Sequence, residues 1–351
     1  MNKIYILAIF GLCSAAFVGC DNEVNVIGEW KEIPVVYGIL RPQDTATYIK
    51  IEKAFLPPNT SALQVAQNPD SLYFADSELE VKLYANNLLV AILPRVDATL
   101  EGYPKDTGIF ANTPNYAYKI RQTLQPNTNY KLELTSSRTG EIYTAQAPTI
   151  NTSGFLITAP STSRAIRWSY NDGNSEIYNN VKFDWREPSN ADIYDLTLFF
   201  NYDEYEVDLN GGEVPNSRQR KVLVWRVVQN YIPDGVVERQ INGRNFYLYL
   251  ASKLSDVSGT RTKRCAVDMD AVLDAGGRDL ALYIQSGQTN DGLISGLFPS
   301  PPYSNISAGY GVFSALYSVR KENLTLDPAV FEYLQDGDLT NKLGFVRTPC
   351  F

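Results

Sequence analysis

The chain has 351 residues, with 31 Lys plus Arg against 39 Asp plus Glu and a formal net charge of −8. Hydrophobic residues make up 44% and charged residues 20%, a globular balance that excludes a disordered or collagen-like chain. Histidine is absent, which removes Ser-His-Asp and Cys-His catalysis, His-ligated zinc or copper, and an imidazole pH switch. The acidic balance argues against nucleic acid as a partner, because phosphates call for a basic face.

The N-terminus reads MNKIYILAIFGLCSAAFVGC, with Lys3 ahead of the apolar stretch Ile4 to Val18. That stretch is shorter than the about 20 residues a membrane-spanning helix needs, so residues 1–19 read as a signal peptide. Phe17-Val18-Gly19-Cys20 is similar to a bacterial lipobox, which predicts a covalent lipid on Cys20. Residues 20–32 open with Asp21-Asn22-Glu23 and read as a polar tether. Acidic residues behind the lipidated cysteine resemble the surface-export signal of Bacteroidota lipoproteins; in enterobacteria the same aspartate means inner-membrane retention. A merely solvated tether is the plainer alternative. With Cys13 in the signal and Cys20 lipidated, Cys265 and Cys350 remain. They either form one disulfide, as an exported protein permits, or stand as two thiols. Metal binding by this one pair, with no histidine, is not expected.

From Pro34 the pattern has period two, as half-buried strands require. Val36, Gly38 and Leu40 share one face, then Ile49 and Ile51, then Leu79, Val81 and Leu83. Asn86-Asn87 predicts a hairpin turn into Leu88 to Leu93, and Leu56 to Ser71 reads as a long loop. Leu124, Pro126 and Tyr130 lead into an alternating strand with the spacing of the tyrosine corner seen in fibronectin type III and related sandwiches. Residues 33–150 are therefore expected to form an immunoglobulin/fibronectin-III-like β-sandwich.

Residues 151–351 predict a second, larger β-rich domain. Asn180 to Trp185, Ile193 onward, Lys221 to Gln229, Cys265 to Val272 and Leu280 to Gln285 read as strands, with Trp185 between sheets. Arg244 to Leu254 carries Phe246, Tyr247, Leu250 and Leu254 at helical spacing, so a helix is expected near 244–254. Asp327-Pro328 reads as the N-cap and first position of a short helix near 328–334. The fold class expected is mainly β, a sandwich followed by a larger sandwich-like unit with one or two short helices.

The segment PSPPYSNISAGYGVFSALYSV (Pro299 to Val319) is similar to the closing segment of a Bacteroidota outer-membrane lipoprotein family of unknown function. VVYGILRPQDTATYIKIEKAF resembles that family's first hairpin. This chain departs from it by continuing past the YSV strand. The resemblance implies an outer-membrane lipoprotein associated with TonB-dependent receptor systems, with no assigned reaction and no functional residues to carry over.

Catalysis without histidine would fall to carboxylates, Lys or Tyr, and Asp268 with Asp270, two apart on a strand, form the candidate pair. The plainer reading is a polar strand face. Asn171-Asp172-Gly173-Asn174 and Asn290-Asp291-Gly292 lack the spacing of a calcium loop and read as turns. Gly211-Gly212 and Gly276-Gly277 read as hairpin glycines. Among 23 Tyr, 15 Phe and 4 Trp, the candidates for exposed stacking platforms are Trp30, Tyr73, Tyr103 and Trp225. Pro301, Pro302 and Tyr303 mark the expected recognition loop. No cofactor is expected. The leading expectation is a non-enzymatic binding or accessory lipoprotein at the outer membrane with a receptor partner. A glycan- or nutrient-binding lipoprotein is the alternative, and a carboxylate-based hydrolase comes last.

Overall fold

Period-two alternation in the first third of the chain becomes two facing sheets. The computed structural model describes residues 33–54, 61–234, 238–289, 303–348 and 350. Its first part runs β1 (Ile33–Leu40), β2 (Thr47–Ala54), α1 (Ala62–Ala66), α2 (Pro69–Leu72), β3 (Leu79–Ala85), β4 (Leu88–Ile92), β5 (Arg95–Asp97), β6 (Tyr116–Ile120), β7 (Asn129–Ser136) and β8 (Ile142–Pro148). One layer has the order β1-β2-β6-β5, the other β4-β3-β7-β8. Val36, Leu40, Ile49 and Ile51 from the first layer join Val81, Leu83, Leu132 and Leu134 from the second in one core. Each such side chain contributes about 1.5–3 kcal/mol by leaving water. This is the immunoglobulin-type division of strands, with one strand, β4, added beside β3. Asn86 and Asn87 have φ of 48° and 68°, the positive values that a two-residue turn between β3 and β4 demands. The Tyr130 hydroxyl accepts a hydrogen bond from the Gln125 N–H at 2.8 Å, closing the corner.

The second part repeats the plan at larger scale. It runs β9 (Ile157–Ala159), β10 (Ser169–Asn171), β11 (Glu176–Tyr178), β12 (Asn180–Trp185), β13 (Ile193–Glu206), β14 (Gln219–Tyr231), β15 (Glu238–Asn242), α3 (Gly243–Lys253), β16 (Thr262–Gly276), α4 (Arg278–Thr289), β17 (Tyr310–Leu324) and α5 (Pro328–Asp336). β15-β12-β9 form one sheet and β14-β13-β16-β17 half of another, while β10 and β11 pair as a small hairpin. The strand order is that of the first sandwich without a counterpart of β5, and with α3 where the tyrosine corner was. Asn242 caps α3 by accepting from the Arg244 N–H at 3.0 Å. Phe246 stacks on the fully buried Trp168 with ring centroids 4.9 Å apart. Trp185 is a core residue against Tyr194, at 5.4 Å.

The two parts share a sheet. β17 pairs in parallel with β1, Tyr310 to Ala315 against Val35 to Leu40. The result is one eight-stranded sheet, β14-β13-β16-β17-β1-β2-β6-β5, that crosses residue 150. Gly311 makes this approach possible: its φ is +103°, and a Cβ there would lie 2.0 Å from the Val36 carbonyl oxygen. The SNIS run clasps the seam. Asn305 accepts from the Phe313 N–H at 2.9 Å and donates to the Phe313 carbonyl at 2.7 Å. The Ser307 N–H donates to Thr144 O on β8 at 2.8 Å. Past the end of β1, the Gln43 side chain continues the ladder, donating to Ser318 O at 2.6 Å and accepting from the Ser318 N–H at 2.7 Å.

Three expectations are corrected. Leu280 to Gln285 is not a strand but part of α4, whose Leu280 and Ile284 line one hollow with Ile193 and Leu316 of the sheet. Gly276-Gly277 is consequently not a hairpin but the junction of β16 and α4, where a Cβ on Gly276 would lie 2.7 Å from Ile193. Within Leu56 to Ser71, residues 56–60 lie outside the described residues, and the remainder holds α1 and the start of α2 rather than loop alone. Asn68 caps α2, accepting from the Asp70 N–H at 3.1 Å, with Pro69 at its first position. Asp327 likewise caps α5 through the Ala329 N–H at 3.1 Å.

Gly311→Ala is expected to cost roughly 2–4 kcal/mol, through the positive φ and the collision with Val36. Urea unfolding measures it; a cost below about 0.5 kcal/mol would show that the seam tolerates a side chain.

Candidate partner-binding site

The chemistry-bearing side chains of the second sandwich are tied to one another. Asp268 and Asp270 do come together: the Asn201 amide nitrogen lies 2.7 Å from one and 3.4 Å from the other. Asp270 is buried and also accepts from Arg320 at 2.6 Å and from the Asn323 N–H at 3.0 Å. A carboxylate so occupied is a structural anchor, poorly placed to exchange protons with a substrate. Cys265 and Cys350 are joined by a disulfide, 85 residues apart in sequence. Asp203 lies beside them, within 4.8 Å of both sulfurs. Bridged sulfurs offer no thiolate, and Asp203 is already engaged by Arg220 Nε at 2.5 Å and Arg218 Nη1 at 3.3 Å.

The same knot holds a buried cation. Arg264 is 3% exposed and donates to Glu204 at 2.8 Å, to Leu343 O at 2.7 Å and to Ser255 O at 3.1 Å. It fastens β16 to β13, to the loop after α3 and to the C-terminal run. Burial pushes the Glu204 carboxyl up, but hydrogen bonds from Lys221 and Arg264 outweigh it and hold the group below the usual carboxylate range.

Open surface lies elsewhere. A cleft of about 510 Å³ sits on the outer face of β1 and β2, bounded by α1 and α2; Val35, Tyr37, Glu52, Leu72 and Phe110 are among its walls. Tyr37 and Phe110 are 41% and 45% exposed. Burial, with a hydrogen bond to Tyr283, pushes the Tyr37 hydroxyl up to about 12. Next to it a hollow of about 680 Å³ is lined by Lys53, Asp76, Glu78, Arg95 and Tyr116. Arg95 stacks 4.2 Å from the Tyr116 ring and pairs with Asp76 at 3.0 Å, so its charge is spent inside the wall.

Among the described residues, β4 gathers several exposed apolar side chains on one strand. Leu88, Leu89, Val90 and Ile92 are 73%, 52%, 38% and 59% exposed on one five-residue edge strand. A hairpin is legible at Asn86-Asn87, but a surface is not. The missed signal is that both alternate positions of this strand are apolar, which an edge strand does not need.

The aromatic candidates divide. Tyr73 is 4% exposed and is core, not a stacking platform. Trp225 is half-buried, stacked on Tyr249 at 5.2 Å. Tyr103 is exposed, its ring 5.0 Å from Tyr48. Tyr303 is only partly exposed, and its hydroxyl donates to Asp279 at 2.6 Å, so it anchors its loop on α4. Cys20, Trp30, Pro301, Pro302 and Asn290-Asp291-Gly292 lie outside the described residues. Asp172 makes a turn, accepting from the Asn174 and Ser175 N–H groups at 2.9 and 2.8 Å.

Two predictions follow from the knot. Glu204 is depressed in the folded state, so its contribution is present above the unfolded carboxylate value, about 4.3, and fades as pH falls through the lower folded value. Glu204→Gln should therefore flatten the loss of stability between about pH 5 and pH 3; an unchanged slope in pH-dependent urea midpoints would contradict it. Cys350→Ser should cost about 2–4 kcal/mol by releasing an 85-residue closure. Dithiothreitol should destabilise the wild type by the same amount and leave the variant unmoved.

No protein-family model matches the chain, and no curated protein matches it.

Proposed function

We propose that the chain is a cell-envelope lipoprotein held at the outer membrane by lipid on Cys20, and that it works as a non-enzymatic binding or accessory scaffold for a receptor or transporter. The resemblance of its signal, first hairpin and SNIS segment to the Bacteroidota lipoprotein family of unknown function supports the setting. A TonB-dependent receptor is the partner that resemblance implies. Among the described residues no helix is long and apolar enough to cross a membrane.

The observation that carries the binding role is β4, an uncharged edge strand whose leucines, valine and isoleucine are exposed. An exposed apolar strand of this kind is a liability unless a partner covers it. A second reading, a glycan- or nutrient-binding surface, is favoured by the cleft of about 510 Å³ with Tyr37 and Phe110 on its walls. Hydrolysis by Asp268 and Asp270 is least supported, since Asn201, Arg320 and the Asn323 N–H already occupy them.

Cys20→Ala should move the protein from the membrane to the soluble fraction. Affinity capture of the anchored wild type from native membranes should recover an outer-membrane receptor. Membrane retention of Cys20→Ala would refute the anchor, and capture with no membrane protein would refute the accessory role.

A further inference from the structure

Sheet edges expose unpaired N–H and C=O groups, and among the described residues several edges of this protein carry a contact, a charge or a short length that blunts them. On β14 the Tyr249 hydroxyl donates to Val224 O at 2.7 Å. On β8 Ser307 exchanges hydrogen bonds with Thr144, at 2.8 and 2.7 Å. β15 carries Glu238 and Arg239, and β5, β9, β10 and β11 are only three residues long. Among the described residues β4 has no such side-chain contact and no charge of its own. From Leu83 to Pro94 the chain has no charged residue.

The geometry of β4 leaves a donor facing outward. The Leu93 N–H donates inward to Val81 O at 2.8 Å, so by strand alternation the Ile92 N–H points away from β3. The neighbouring charges on β3 and β7 are already matched: Lys82 with Glu80 at 2.5 Å, and Lys131 with Glu133 at 2.9 Å. A ligand at this edge therefore meets apolar side chains and a bare backbone, with no charge to recognise. A second copy of the chain is a poor occupant. One five-residue strand supplies far less than the roughly 800 Å² per partner of a stable interface, and each copy brings a net charge of −8. An extended segment draws its affinity from main-chain hydrogen bonds instead.

We propose that the free edge of β4 receives an extended, uncharged, apolar segment of the partner protein as an added antiparallel strand; this rests on reading the chain as a binding scaffold. The probe is a fluorescein-labelled heptapeptide of alternating valine and threonine, titrated by anisotropy against the full-length chain. Saturable binding is expected, weakened at least tenfold by Leu89→Lys and by Ile92→Pro, which removes the outward N–H. Ile92→Ala keeps that N–H and should retain most of the binding. Leu209→Lys, a charge added at another exposed leucine, should leave it unchanged, as should the thermal midpoint of Leu89→Lys. N-methylation of alternate peptide amides should abolish it. No saturable binding, binding indifferent to Leu89→Lys and Ile92→Pro, or a dimer that Leu89→Lys dissolves would each overturn the proposal. Capture of a membrane receptor by the Leu89→Lys protein as well as by wild type would overturn strand addition alone and leave the scaffold role standing.

Discussion

Six consecutive residue pairs between β1 and β17 hold this molecule together, from Val35 with Tyr310 to Leu40 with Ala315. A sandwich made of residues 33–150 would leave β1 as an open edge, and one made of the rest would leave β17 open. Pairing them in parallel removes both edges at once and converts two half-sheets into an eight-stranded one. Most residues of the seam carry side chains, as in any ladder, but at two of its positions a side chain would collide with the facing strand. Gly311 meets Val36, and a Cβ on Gly38 would stand 2.9 Å from Phe313. The glycines of the GYG run and of the first strand thus belong to one contact, although the sequence separates them by most of the chain.

Around that seam, two sandwiches of matching strand order, the second without a counterpart of β5, solve the same crossover problem differently. The first pins the strand after its crossover with Tyr130 on the Gln125 N–H, one hydrogen bond worth about 1 kcal/mol. The second uses α3, whose Phe246 and Tyr247 are fully buried against Trp168 and Ser169. A larger core needs a larger plug, and Gly243 lets the helix start against the Trp168 carbonyl, where a Cβ would lie at 1.9 Å. The C-terminal run then lies beside β16, bridging at Arg264 and Phe345 and locked by Cys265 and Cys350.

Local chemistry was the legible part. Tyr130 five residues after Gln125, Asp327 before Pro328, and the helical spacing of Phe246 and Leu250 each express a rule acting within one turn or strand. Leu280 to Gln285 misled because its apolar, aromatic run suits a strand, and only docking on β17 decides for helix. The Leu280 N–H donates to Ser314 Oγ at 3.2 Å, and the Gly277 N–H to Ala315 O at 2.9 Å. Both partners lie more than thirty residues on, beyond the reach of any local pattern. The division at residue 150 hid the shared sheet for the same reason, since parallel pairing of the first and last strands leaves no sequence signature. Tyr73 and Tyr303 carried no marker separating a buried ring or an anchored hydroxyl from an exposed platform. The disulfide was open on spacing and is settled by the ladder that brings Cys350 to Ala266, with the N–H to carbonyl distance at 3.0 Å.

If the β1–β17 ladder makes one cooperative unit of two sandwiches, the amides of its centre should open only when the whole protein unfolds. Native-state hydrogen exchange in low urea tests this most directly. The amides of Tyr37, Gly38 and Phe313 should share one opening free energy, equal to that of the central residues of β13 and β16 and equal to global unfolding. Exchange of β1 and β17 through a smaller opening, with the two sandwiches protected to different extents, would contradict the account.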